Sequence, residues 1–97
     1  MAMRALHEFW ESGHGEAEKA LREWYSTSEH GRWSNFAELR KNFRSADAVG
    51  DRVVFNIMNN RYRLIATVDY VQHGGLIRWI GTHVSYDRLS SEEIKRI

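Results

Sequence analysis

The sequence predicts an α+β fold, in which N-terminal helices pack on one face of a three- to four-stranded antiparallel sheet and a short C-terminal helix closes the chain. Three observations predict it. Apolar residues recur at helical spacing over the first thirty residues, the pattern turns β-rich from Arg52 onward, and asparagine and glycine pairs interrupt the β-rich part where hairpins need them. Helices followed by a meander make two layers around one core. A chain of 97 residues holds one such core, so residues 1–97 are read as a single domain.

Each element has its own signal. Leu6, Phe9 and Trp10, then Ala17, Ala20, Leu21, Trp24 and Tyr25, form the apolar stripes of two amphipathic helices. Ser12-Gly13-His14-Gly15 separates them, because two glycines so close together disfavour a continuous helix. A third, short helix is expected near Asn35, where Asn35 and Glu38 stand at capping-box spacing ahead of Leu39 and Phe43. Three strands follow, from Val53 to Met58, Arg61 to Val71 and Leu76 to Thr82, and Ala46 to Val49 is a candidate fourth. Asn59-Asn60 joins the first two, since asparagine tolerates the left-handed backbone of a tight hairpin. Gln72-His73-Gly74-Gly75 supplies the next turn. Ser90 and Glu93 repeat the capping-box spacing and place a closing helix over roughly the last seven residues.

Composition narrows the function. Hydrophobic residues make up 42% of the chain and aromatics 12%, enough for a core without covalent help. The absence of cysteine excludes disulfides and thiolate metal sites, which suits a reducing compartment. No apolar run approaches the length of a signal-peptide core or a membrane span, so a cytoplasmic protein without membrane attachment is expected. The formal net charge is only +1, but it is unevenly spread. Residues 1–30 carry three basic side chains against six acidic ones, and residues 31–83 carry eight against four. Seven of those eight are arginine, whose planar fork suits phosphate. The plainer reading is a charged, solvated surface.

Alternation along the second strand sets Arg61, Arg63, Ile65, Thr67 and Asp69 on one face, and Tyr62, Leu64, Ala66, Val68 and Tyr70 on the core-facing side. On the third strand Arg78 alternates with Ile77 and Trp79, so Arg63 and Arg78 share the open face if the strands pair in register. Ion pairing with Asp69 is the alternative role for these arginines, above all for Arg61.

No P-loop, dinucleotide fingerprint, nucleophile elbow or zinc-type histidine pair is present. The five histidines are scattered, none three or four residues from another, so no local metal cluster is expected. RNA cleavage needs none in principle: the ribose 2′-hydroxyl attacks the adjacent phosphorus if a base takes its proton, an acid protonates the departing 5′-oxygen, and cations stabilise the transition state. Those residue types meet in Gly81-Thr82-His83-Val84-Ser85-Tyr86-Asp87, directly after the third strand. A lone histidine is more often a surface or hydrogen-bonded residue than a catalytic one, so His83 is not assigned by composition alone.

The run from Val53 to Ile65, followed by Ile77-Arg78 and the Gly81–Asp87 segment, resembles the HigB toxin family. The resemblance rests on a Phe-Asn strand, a turn ending in asparagine, a Tyr-Arg-Leu strand, an Ile-Arg pair and a Thr-His-x-x-Tyr-Asp end. It covers residues 31–88, includes Trp33, Gly50 and Asp51, and is loose in the N-terminal helices. Met58-Asn59 departs from the pattern, where many members carry a second small residue before Asn60. The resemblance implies a RelE-like fold and metal-independent, ribosome-dependent cleavage of messenger RNA in the 30S A site, with no cofactor. It also implies neutralisation by a HigA-type helix-turn-helix antitoxin, through which alone the toxin would reach operator DNA. By the same resemblance Arg63 and Arg78 bind phosphate and stabilise the transition state, and His83 and Tyr86 form the proton-transfer pair, with acid and base unassigned. Asn60, Arg61 and Arg52 belong to the RNA-binding set, and Asp87 joins it by orienting a neighbour or capping local structure. Asn56 is read as a strand-end hydrogen bond.

Two rival readings share the fold. One is a non-catalytic RNA-binding module that stacks bases on Trp33, Trp79, Tyr62 or Tyr70. The other is a ParE-like toxin that poisons DNA gyrase, since fold alone does not fix function. The His83–Tyr86 pair favours RNA cleavage.

Overall fold

The computed structural model describes residues 1–97. Helix α1 (Arg4–Glu11) leads through a single 3₁₀ turn at Gly15–Ala17 into α2 (Glu18–His30), and α3 (Phe36–Asn42) follows. Strands β1 (Asp47–Val49), β2 (Arg52–Ile57), β3 (Tyr62–Asp69) and β4 (Gly74–Thr82) come next, then α4 (His83–Asp87) and α5 (Ser91–Arg96). The strands form one antiparallel sheet in the order β1-β2-β3-β4. The α+β expectation is met, and the candidate fourth strand is present as β1.

Local chemistry explains most of the element ends. Gly13, at φ 107°, occupies a backbone conformation open to glycine, and α1 stops just before it. The Asn35 side chain accepts the Glu38 N–H at 2.9 Å and starts α3. Ser90 and Glu93 exchange both bonds of a capping box, each 3.1 Å long, and start α5 where the spacing places it.

The N-terminal helices bury Leu6, Trp10, Leu21, Trp24 and Leu39 against the sheet face that carries Val53, Phe55, Ile57, Tyr62, Leu64 and Ala66. Every second residue of β2 and β3 supplies this core, as a half-buried strand requires. Its centre is aromatic: Trp24 and Phe43 meet Phe55 edge-on, at ring separations of 5.2 and 4.9 Å.

The opposite face is not free, which corrects the expectation. Val54, Ile65 and Ile94 form a second, smaller core beneath α5, with Trp79 and Tyr86 packed against it. Ile65, placed by alternation on the open face, is fully buried there. The reason is local, because Ile94 is the apolar residue of the capped C-terminal helix and needs an apolar floor.

The β2–β3 hairpin turns through Asn59-Asn60, as expected, with the Arg61 N–H returning to the Met58 carbonyl at 3.2 Å. Met58, Asn59 and Asn60 all take positive φ, at 53°, 51° and 72°. Asparagine accepts this backbone readily, whereas Met58 holds it at a cost of about 1 to 3 kcal/mol, consistent with its packing against the main core.

Candidate functional site

The hairpin end of the second sheet face collects most of the residues singled out by the sequence. Two transverse rows of side chains build its floor. Asp47, Val54, Ile65 and Trp79 are successive cross-strand partners over all four strands, and Asn56, Arg63 and Gly81 make the next row toward the turn. Asn56 donates its side-chain amide to the Ser45 carbonyl at 3.2 Å, the strand-end bond expected of it.

Helix α4 lies over this floor, directly after β4. Thr82 caps it, accepting the Ser85 N–H at 3.1 Å, so the segment that follows the third strand of the sequence reading forms a helical turn. Residues three apart on a helix share a face. His83 and Tyr86 are such a pair, which gives a structural reason for their spacing.

Arg63 is held from below. One terminal nitrogen donates to the Asn60 carbonyl at 2.7 Å and more weakly to the Tyr62 carbonyl at 3.3 Å. The left-handed backbone at Asn60 therefore aims a carbonyl at the guanidinium. The guanidinium carbon also stands 5.7 Å from the centre of the Tyr86 ring, within cation–π range. Behind Tyr86 lies the Trp79 indole, 6.3 Å away and tilted by 51°. That indole crosses Gly81, where a Cβ would come within 2.5 Å of it, so only glycine leaves Trp79 in place.

His83 is exposed at the rim. Its backbone N–H donates to the Arg61 carbonyl at 2.9 Å, and its Nδ1 stands 3.3 Å from the same oxygen. A carbonyl only accepts, so this contact requires the proton on Nδ1, and in the neutral ring the lone pair is then on Nε2. Burial raises the Tyr86 phenol above the ordinary tyrosine range; the Asp47 and Asp87 carboxylates add to this and the Arg63 guanidinium opposes it. Tyr86 is thus a protonated donor at neutral pH. The site offers an acceptor nitrogen, a phenolic proton and a fixed cation along one edge.

Other expected members lie elsewhere. A β-bulge between Ile65 and Ala66 makes Arg78 the extra residue of β4, opposite no residue of β3. Arg63 faces Gly81, three residues further along β4, so the two arginines are about 10 Å apart along the strand rather than neighbours. Arg78 is exposed and lines a groove between β4 and α1 with Ala5, Phe9 and Ile80. Arg52 stands at the far end of β2, ion-paired with Asp51 at 2.6 Å, its side chain only 12% exposed. It does not join the site. Arg61 pairs with Glu16 at 3.3 Å, not with Asp69, whose carboxylate instead accepts the Val71 and Gln72 N–H groups. Asp87 is exposed in the last turn of α4, beside Tyr86. Asp47 and Glu16 were not expected here. Asp47 lies in the candidate fourth strand, so pairing that strand would have found it; Glu16 is 45 residues from Arg61, and nothing in the sequence links them.

No group of three or more histidine, aspartate or glutamate side chains converges in the molecule. No helix is long and apolar enough to cross a membrane. A family model described as HigB_toxin, RelE-like toxic component of a toxin-antitoxin system, matches residues 17–89 of the 97. It therefore takes in α2, where the family resemblance read from the sequence is loose. No curated protein matches the chain.

Proposed function

The chain belongs to the HigB toxin family, RelE-like toxic components of toxin-antitoxin systems with an antitoxin as partner, and on that premise we propose that it cleaves messenger RNA on the ribosome. The observation that carries the reading is the joint placement of Arg63, Tyr86 and His83 on one edge, with Arg63 over the Tyr86 ring.

In the proposed reaction His83 Nε2 takes the proton from a ribose 2′-hydroxyl, and the oxygen attacks the adjacent phosphorus. The bond from phosphorus to the 5′-oxygen breaks, and the Tyr86 phenol supplies that oxygen with a proton. The Tyr86 phenol, protonated at neutral pH, can give up its proton as the acid, and Nε2 of the neutral Nδ1-protonated ring can act as the base. Arg63 has its second terminal nitrogen and Nε available for the phosphate oxygens, where charge builds up in the transition state. Arg78, outside the immediate site, binds phosphate further along the RNA strand, and Asn60 and Arg61 line its path. The proposed partner is a HigA-type antitoxin with a helix-turn-helix domain, which would carry any contact with operator DNA.

The base-stacking rival is weakened by burial: Trp33 and Tyr62 are 8% and 4% exposed. Expression without an antitoxin is expected to stop incorporation of radiolabelled methionine while DNA supercoiling stays intact. Normal incorporation with collapsed supercoiling would replace this reading by gyrase poisoning.

A further inference from the structure

We propose that Glu16, in the 3₁₀ turn between α1 and α2, is a positioning residue that fixes the ring of His83. The inference rests on the proposed reaction for its importance but not for its geometry. The Glu16 carboxylate divides between two consecutive residues at the start of β3. One oxygen accepts the Tyr62 phenol in a short hydrogen bond, and the other meets the Arg61 guanidinium at 3.3 Å. These two hydrogen bonds, across 45 and 46 residues, tie the turn between α1 and α2 to the hairpin beside the site.

The consequence lies in the backbone between them. Tyr62 is buried, its ring edge-on to Phe9 at 5.5 Å and to His14 at 5.7 Å, so its phenol is a fixed strut rather than a mobile tip. Arg61 lies just before the β3 ladder begins and just after the Met58–Arg61 turn. Its backbone is tied by its N–H bond to the Met58 carbonyl and by the bond its carbonyl accepts from His83, and Glu16 is the partner that anchors its side chain. The Arg61 carbonyl is the single acceptor for both the His83 N–H and Nδ1. Holding Arg61 in place thus holds the acceptor that selects the Nδ1-protonated form of His83 and turns Nε2 outward. A carboxylate suits the task because it accepts from two donors at once. An ion pair this exposed adds little to stability by itself, with Arg61 and Glu16 side chains 63% and 51% exposed, so its part is orientation.

The test is the tautomer of His83, read by long-range ¹H–¹⁵N correlation on the full chain with ¹⁵N-labelled histidine. The wild type is expected in the Nδ1-protonated form. Glu16→Ala should move His83 toward the Nε2-protonated form and lower kcat for ribosome-dependent cleavage about three- to tenfold, with KM little changed. Glu16→Gln, which keeps one acceptor oxygen but sets a donating NH2 in place of the other, should restore only part of each. Tyr62→Phe keeps the packed ring, cuts only the strut, and should shift the tautomer in the same direction, so the idea is tested even where Glu16→Ala folds poorly. An unchanged tautomer in both Glu16→Ala and Tyr62→Phe overturns the inference. A shifted tautomer with an unchanged cleavage rate upholds Glu16 as the anchor and overturns instead the part of His83 in the proposed reaction.

Discussion

Replacing His83 with glutamine is expected to lower the cleavage rate of ribosome-bound message by about two to four orders of magnitude while ribosome binding survives. Binding and chemistry separate because of where the residue sits. His83 is exposed at the start of α4, and its backbone N–H bond to the Arg61 carbonyl does not depend on the side chain. Glutamine keeps a polar group of similar reach, so the fold should change by no more than about 0.5 kcal/mol. What disappears is the ring nitrogen that takes the 2′-hydroxyl proton in the proposed reaction. Co-sedimentation with ribosomes measures the binding, and single-turnover cleavage measures the chemistry. A folded His83→Gln protein that cleaves at the parental rate would remove the histidine from the mechanism and leave Tyr86 and the arginines to account for it.

Arg63→Ala should act on both steps. Cleavage should fall by about two to three orders of magnitude, and affinity should fall with it, because the guanidinium is expected to meet phosphate in the ground state and more strongly in the transition state. Two further losses follow from its position: the cation beside the Tyr86 ring, and the partner of the Asn60 carbonyl. Lysine at position 63 should restore only part of the rate, since it keeps the charge but cannot hold a carbonyl and a phosphate with one planar fork. Salt dependence gives a second readout. Loss of one phosphate contact should flatten the slope of log affinity against log salt by about 0.7. Unchanged affinity and an unchanged salt slope would show that Arg63 does not touch the RNA.

The parts of this molecule that were legible in the sequence are those decided within a few residues. The caps at Asn35 and Ser90, the break at Gly13 and the Asn59-Asn60 turn each depend on local hydrogen bonding or a backbone preference, and each is where the sequence places it. The core face of β3 was equally legible, because period-two alternation leaves no other arrangement of Tyr62, Leu64 and Ala66. The second face was not. Ile65 reads as outward-facing until Ile94 is folded back over it, and that contact spans 29 positions. The bulge at Arg78 is likewise a matter of pairing between strands, to which the alternation of Ile77, Arg78 and Trp79 along one strand is blind. Helix α4 escaped because Thr82 caps through Ser85 without the glutamate that marks a capping box. His83, Tyr86 and Arg63 stood out through the family pattern, and folding adds their common edge.

If the chain's own base, acid and cation drive attack by the 2′-hydroxyl, the ends of the RNA products record it. Message cleaved by the purified protein on programmed ribosomes can be end-mapped on both fragments. A 2′,3′-cyclic phosphate or a 3′-phosphate is expected on the upstream fragment and a 5′-hydroxyl on the downstream one. A 3′-hydroxyl with a 5′-phosphate would mean that water, not the ribose, attacked the phosphorus, and would contradict the proposed reaction.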